Sequence, residues 1–206
     1  MLNLKVDKAS KRFQYEWIFR DLSLNLNPGD SLAITGSNGS GKSTLIKTLS
    51  GAMPISKGSI EYFIHDKKID ESQWFSQLTF SAPYIELPEE FSLKELLHFH
   101  FKFKKAFQGI SIDEMISRMY LEKDRDKQIS MFSSGMKQRL KLGLALFSEA
   151  SLVFLDEPTS NLDRKGISWY EKLIEDFAQN RILLIATNEE RDYEFCEQII
   201  AMDDYK

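Results

Sequence analysis

Apolar and polar residues alternate at the start of the chain: Leu2, Leu4 and Val6 against Asn3, Lys5 and Asp7. That period of two predicts a half-buried strand and not the unbroken apolar stretch of a signal peptide. Residues 1–35 read as strands and turns, with a reversal at Asn27-Pro28-Gly29-Asp30. Residues 31–35 form a short apolar strand that enters a glycine-rich loop. A helix then runs from about 42 to 50 and ends at Gly51 and Pro54. Residues 59–64 and 78–81 read as strands. Residues 152–155 and 182–186 are continuous apolar runs, the pattern of parallel strands covered on both faces. A helix over 166–179 joins them, and strand, helix, strand is the α/β signature.

The stretch 89–130 differs: it is rich in charge, has helical spacing and carries no strand pattern. Ser92 followed by Glu95 is a capping box. A helix over 136–149 follows, with Leu140, Leu144 and Phe147 on one face. The expected architecture is one α/β domain. Its core comprises 1–87 and 136–206, an antiparallel β portion lies near the N-terminus, and a helical subdomain is inserted at about 88–135.

Composition adds limits. Of 206 residues, 42% are hydrophobic and 28% charged, enough to bury a sizeable core. The net charge of −4 argues against nucleic acid as the main partner. His98-Phe99-His100-Phe101-Lys102-Phe103 interleaves aromatic and basic residues, but Leu96, Phe99 and Phe103 share one helical face, which favours packing. Two histidines two residues apart on a helix point to different sides, so they are no metal pair. The single Cys196 fits a reducing compartment and is expected to be a small buried apolar residue. The longest apolar runs are too short to cross a bilayer, so any membrane role would come through a partner.

The strongest chemical motif is Gly36-Ser37-Asn38-Gly39-Ser40-Gly41-Lys42-Ser43-Thr44. It fits the phosphate-loop pattern and sits between a predicted strand and a predicted helix. Its glycines let backbone N–H groups turn toward phosphates, and the helix points its positive end at them. Lys42 can reach β- and γ-phosphates, and the Ser43 hydroxyl can ligate Mg²⁺. Downstream, a buried strand delivers Asp156 and Glu157 at the edge where α/β sheets bind ligands. On an extended chain the two carboxylates diverge, one toward Mg²⁺ and one toward an attacking water. Ser133, Ser134 and Gly135 precede a helix, so a hydroxyl and free N–H groups gather at its positive end. A plain helix cap leaves the same trace.

Pro158-Thr159-Ser160-Asn161-Leu162-Asp163 after the carboxylates, and Phe132-Ser133-Ser134-Gly135-Met136-Lys137-Gln138-Arg139 upstream, closely resemble the ATP-binding domains of ABC transporters. The resemblance covers nearly the whole chain in the family's order. The short form and the signature look most like the ATPase subunits of ABC-2-type exporters. The family's Leu-Ser-Gly-Gly-Gln reads Phe-Ser-Ser-Gly-Met here.

The resemblance implies ATP and Mg²⁺ as cofactors, with Ser43 and, through water, Asp156 holding the metal and Glu157 polarising the attacking water. It implies a dimer, homodimer or pseudo-dimer, in which Ser133, Ser134 and Gly135 complete the site of the opposite subunit. It also implies a separate membrane-spanning permease as partner and a peripheral position on the cytoplasmic face of the cell membrane. Phe13 falls where the family stacks an aromatic on adenine, with Tyr15 and Trp17 close by as alternatives. Two positions depart from the pattern. Pro83-Tyr84 stands where the family has Pro-Gln, and Thr187-Asn188 where it has Thr-His beside the γ-phosphate. Tyr84 and Asn188 are therefore expected at the catalytic centre with altered chemistry. The rivals are a soluble ABC ATPase, a nucleotide-dependent clamp with weak hydrolysis, and a small-molecule kinase, which would leave 133–139 unexplained.

Overall fold

The computed structural model describes residues 2–206. Two sheets share the chain. The first is antiparallel, in the order β2-β1-β4-β5, from β1 (Leu2–Phe13), β2 (Glu16–Leu26), β4 (Lys57–Ile64) and β5 (Lys67–Lys68). The alternation at the N-terminus sets its register: Leu4 lies opposite Leu26 on one side and Tyr62 on the other, and Val6 opposite Leu24 and Ile60. The second sheet is parallel, in the order β6-β7-β8-β3-β9, from β3 (Ser31–Thr35), β6 (Leu78–Ser81), β7 (Leu152–Asp156), β8 (Ile182–Ala186) and β9 (Gln198–Ala201).

The apolar runs of β7 and β8 are explained by two cores. Leu152, Phe154, Ile182 and Leu184 face one core, shared with α1 (Lys42–Leu49) and the antiparallel sheet. Val153, Leu155, Leu183 and Ile185 face the other, shared with α5 (Ser134–Leu146) and α6 (Arg164–Phe177). Each strand therefore has no polar side to show.

Between β6 and α5 the chain is less helical than its spacing predicts. α2 (Trp74–Gln77) precedes β6, and α3 (Leu93–His100) and α4 (Ile112–Arg118) follow it. The rest consists of single 3₁₀ turns. The Ser92–Glu95 capping box forms, with Ser92 N–H donating to Glu95 Oε2 at 2.8 Å. α3 stops at His100 because the chain beyond it is taken up by other elements. Phe107 N–H donates to Phe147 O at 2.7 Å and Glu149 N–H to Lys105 O at 2.8 Å. Phe103 therefore leaves the helical face it was expected to share, and it is 76% exposed. The same bonds end α5 at Leu146, short of 149.

β9 has no counterpart in the sequence reading. It is an edge strand beside β3, with Gln198 and Ile199 exposed. Cys196 is only half-buried against one core, and burial pushes its thiol up to about 12. No helix among the described residues is long and apolar enough to cross a membrane.

Candidate functional site

The loop 36–41 leaves the C-terminal end of β3 and turns into α1. Gly36 and Gly41 adopt positive φ of 136° and 108°, open to glycine alone at low cost. Space forbids a side chain as well. A Cβ on Gly36 would lie 2.8 Å from Ser40 Oγ, and one on Gly41 would lie 2.4 Å from Ile18 Cγ2. Gly41 caps α1 without a side-chain bond, and no acidic residue occupies the first turn. The first N–H groups of the helix, those of Lys42, Ser43 and Thr44 in particular, have no carbonyl four residues back inside it. Beside them the Ser40 hydroxyl is buried with no hydrogen-bond partner among the described residues. Unpaired donors around a glycine cradle fit an oxyanion ligand such as a phosphate chain.

Lys42 crosses this loop. Its ammonium donates to Gly36 O at 2.7 Å, Ser37 O at 3.3 Å and Asn188 Oδ1 at 2.9 Å. Burial lowers its pKa, against the pull of Glu157, Asp156 and Asp203. Asn188 follows the end of β8 and also donates from Nδ2 to Asn38 Oδ1 at 2.7 Å. One amide thus holds both the lysine and the tip of the loop.

Asp156 ends β7 and is 2% exposed. Its Oδ2 finds no hydrogen-bond partner among the described residues. Burial raises its pKa, while Ser43 and Tyr84 beside it pull the other way. A buried, unpartnered carboxylate oxygen next to the Ser43 hydroxyl is a hard-oxygen pair that suits Mg²⁺. Tyr84 completes this corner. Lys47 Nζ lies 3.8 Å from its ring centroid, and burial and Asp156 raise the phenol's pKa. The loop carrying it is tied down by Lys141, which donates to Pro83 O at 2.8 Å.

Glu157 corrects the sequence reading. It does not continue an extended chain: its φ is +45°, left-handed, and its carbonyl accepts from Ser160 N–H at 3.1 Å in a turn. Its own N–H donates to Ala186 O at 2.8 Å, the last rung between β7 and β8. Strand alternation therefore does not set the direction of the Glu157 carboxylate relative to that of Asp156. Glu157 still lies near enough to Lys42 to raise the lysine's pKa.

Two predicted groups lie apart. Ser133 caps α5, its Oγ accepting from Met136 N–H at 3.2 Å, which leaves its own proton free. With Ser134, Gly135 and Asn161 it lines a depression of about 440 Å³. No hydrogen bond among the described residues joins this surface to the phosphate loop. Gly135 is closely packed here, since a Cβ would lie 3.1 Å from Asn161 O and the neighbour would have to shift slightly. Phe13 sits at the end of β1 with 46% of its surface exposed and Lys11 Nζ 4.9 Å from its ring centroid.

The family model described as ABC transporter matches residues 19–160. The chain belongs to the ABC transporter family. It is an ATP-binding domain of that family, whose chemistry is ATP hydrolysis. It is 29% identical over 173 residues to the Fe(3+) ions import ATP-binding protein FbpC of Fusobacterium nucleatum, covering 80% of this chain and 45% of that one. It is 28% identical over 191 residues to the uncharacterized ABC transporter ATP-binding protein YybJ of Bacillus subtilis, covering 92% and 87%. A putative ABC transporter ATP-binding protein from Pyrococcus furiosus shares the fold at a TM-score of 0.83 and 20% identity, with 99% of each chain covered. The parallel sheet with its antiparallel companion is thus the ABC ATPase fold.

Sequence reasoning missed Thr159, Thr187 and Asp192, which meet beneath the site. The two threonines were visible within motifs; Asp192 carried no signal.

Proposed function

We propose that this domain binds ATP with Mg²⁺ and hydrolyses it to drive a separate membrane-spanning permease. The observation that carries the reading is one convergence at the C-terminal edge of the parallel sheet. Lys42 and Asn188 are bonded to each other, and Ser43 and Tyr84 lie beside the unpartnered Asp156 carboxylate. The loop amides and Lys42 hold the β- and γ-phosphates. Ser43 and Asp156 would hold Mg²⁺. The metal, when bound, neutralises charge that develops on the phosphates. Glu157 orients the attacking water and accepts its proton. Phe13 stacks on the adenine. Thr44, next along α1, adds a first-turn N–H to the phosphate cradle.

Ser133, Ser134 and Gly135 are separate from this centre and, on this reading, serve a second domain's nucleotide in a dimer, homodimeric or with a related partner. The division into a core of 1–87 and 136–206 with a helical subdomain at 88–135 follows from the same reading. A mostly apolar groove of about 500 Å³ between them, lined by Phe80, Ile85, Leu87, Leu96, Phe99 and Phe103, takes a cytoplasmic segment of the permease. On this reading the domain sits on the cytoplasmic face of the membrane. The exporter direction rests on the Ser-x-Gly-Met-Lys-Gln-Arg form of the signature alone, as one relative is named for import.

Glu157→Gln tests the reading. It should bind ATP, stop turnover and run as a dimer on size exclusion with ATP and Mg²⁺. A variant that stays monomeric and still releases phosphate refutes it.

A further inference from the structure

Asp192 is 1% exposed, yet it forms none of the ion pairs among the described residues. Both of its carboxylate oxygens are taken by threonine hydroxyls. Thr159 Oγ1 donates to Oδ1 at 2.6 Å, and Thr187 Oγ1 donates to Oδ2 at 2.7 Å. The Thr187 hydroxyl also accepts from Glu189 N–H at 3.1 Å, which directs its own proton at Asp192. The Asp192 backbone is fixed in turn: its carbonyl accepts from Tyr170 OH of α6 at 3.1 Å, and its N–H donates to Glu189 O at 3.0 Å.

The placement of the two threonines gives this node its meaning. Thr159 lies two residues after Glu157, on the loop leaving β7. Thr187 lies immediately before Asn188, on the loop leaving β8. The ladder between those strands ends with Asp156 opposite Ala186 and the bond from Glu157 N–H to Ala186 O. Beyond that rung the loop after β7 turns away, with positive φ at Glu157 and Asn161. The two hydroxyls of the Asp192 node are the next link between the loops. A carboxylate held only by hydroxyls and local backbone is a costly way to fill a core, because an apolar group of similar size avoids the desolvation.

We infer that Asp192 is a positioning residue for ATP hydrolysis, clamping through Thr159 and Thr187 the two loops that carry Glu157 and Asn188. The inference rests on the assignment of Glu157 to the attacking water and Asn188 to the γ-phosphate. The clamp holds the group that orients the water and the group that meets the phosphate at a fixed separation. It touches neither nucleotide nor metal.

The test uses the full chain and near-isosteric changes. Thr159→Val and Thr187→Val each keep the volume and remove the hydroxyl. Each should lower kcat by about ten- to a hundredfold, the scale of loss from a displacement of about 1 Å. ATP affinity, measured by calorimetry, should stay essentially unchanged, because the phosphate loop is not touched. Thr159→Ser and Thr187→Ser should recover most of the rate that valine loses. The double valine variant should be little worse than the poorer single one, since both act through one carboxylate. If either valine variant fails to fold, Asp192→Asn carries the same readout.

Valine variants that melt at lower temperature but keep wild-type kcat would make the node structural only and overturn the inference. So would a parallel loss of ATP affinity, or serine variants no better than valine. Glu157→Gln separates the two levels. If it is inactive while the valine variants turn over normally, only the clamp falls. If Glu157→Gln itself turns over normally, the reading of the site falls and the clamp with it.

Discussion

Asn188 offers the sharpest test of the site, because its amide does two things at once. Its Oδ1 accepts from Lys42 at 2.9 Å, one of three acceptors on that ammonium. Its Nδ2 donates to Asn38 at 2.7 Å and is the atom available to meet a γ-phosphate oxygen. Asn188→Ala removes both functions, and they push in opposite directions. Phosphates must displace the acceptors of Lys42, and a hydrogen bond to a charged group is worth about 1.5–3 kcal/mol. The contact is partly open to water, so the low end applies. Removing this competitor should tighten ATP binding by up to about tenfold, since about 1.4 kcal/mol is a factor of ten. Losing a donor aimed at charge developing in the transition state costs about 3 kcal/mol, roughly a hundredfold in kcat. Asn188→Asp keeps the shape and strengthens the hold on Lys42, but it sets a negative charge against the γ-phosphate and should bind ATP more weakly than wild type. Calorimetry gives the affinities and steady-state phosphate release gives kcat. An alanine variant with weaker binding and unchanged kcat would refute both halves of the argument. Asn188→His restores the longer donor, and a rate equal to wild type would show that reach does not limit this enzyme.

Lys42→Ala should abolish productive ATP binding, which calorimetry would register as loss of the binding isotherm. Gly41→Ala should destabilise the fold by about 2–5 kcal/mol in urea titration, combining left-handed strain of about 1–2 with overpacking of about 1–3 against Ile18; Gly41→Ala with Ile18→Ala should recover only the second part. His100 Nε2 lies 2.8 Å from Ser148 Oγ, and because that hydroxyl donates to Leu144 O, the ring nitrogen is the donor of the pair. Burial, helped by Lys104, keeps its pKa below the ordinary 6.5. The unfolded chain therefore takes up a proton first as pH falls below 6.5, and stability is lost across that window. Urea midpoints at about pH 7.5 and about pH 5 should fall further for wild type than for His100→Gln, and equal falls would refute the assignment.

What was legible in the sequence depended on how local its cause was. β7 and β8 could be read because both faces of each strand meet a core, which leaves a continuous apolar run. The phosphate loop could be read because its glycines answer to local backbone geometry. β9 was missed although Ile199-Ile200-Ala201-Met202 is an apolar run, because a run of four at a sheet edge, with Gln198 and Ile199 exposed, has no flanking helix pattern to mark it as a strand. The early end of α3 depends on bonds made far along the chain, at Phe147 and Glu149. The left-handed turn at Glu157 was hidden because glutamate rarely adopts it. Asp192 was hidden because one of its partners lies 33 residues away.

Tyr84 and Asn188, the two positions expected to depart from the family pattern, are linked in space. Asn188 accepts from Lys42, and Tyr84 lies under Lys47, and both lysines belong to α1. A glutamine amide has no π face; the Tyr84 ring offers one to the Lys47 ammonium while its hydroxyl lies beside Asp156. One residue therefore faces a cation and an anion at once, which a flexible amide does not do by the same means. Asn188 likewise is a neutral amide that serves Lys42 on one side and Asn38 on the other. Each residue is already engaged with a lysine of the helix that follows the phosphate loop. The nucleotide must then compete with contacts that the protein makes to itself, and the two positions should act on ATP binding together through α1 and not as independent losses.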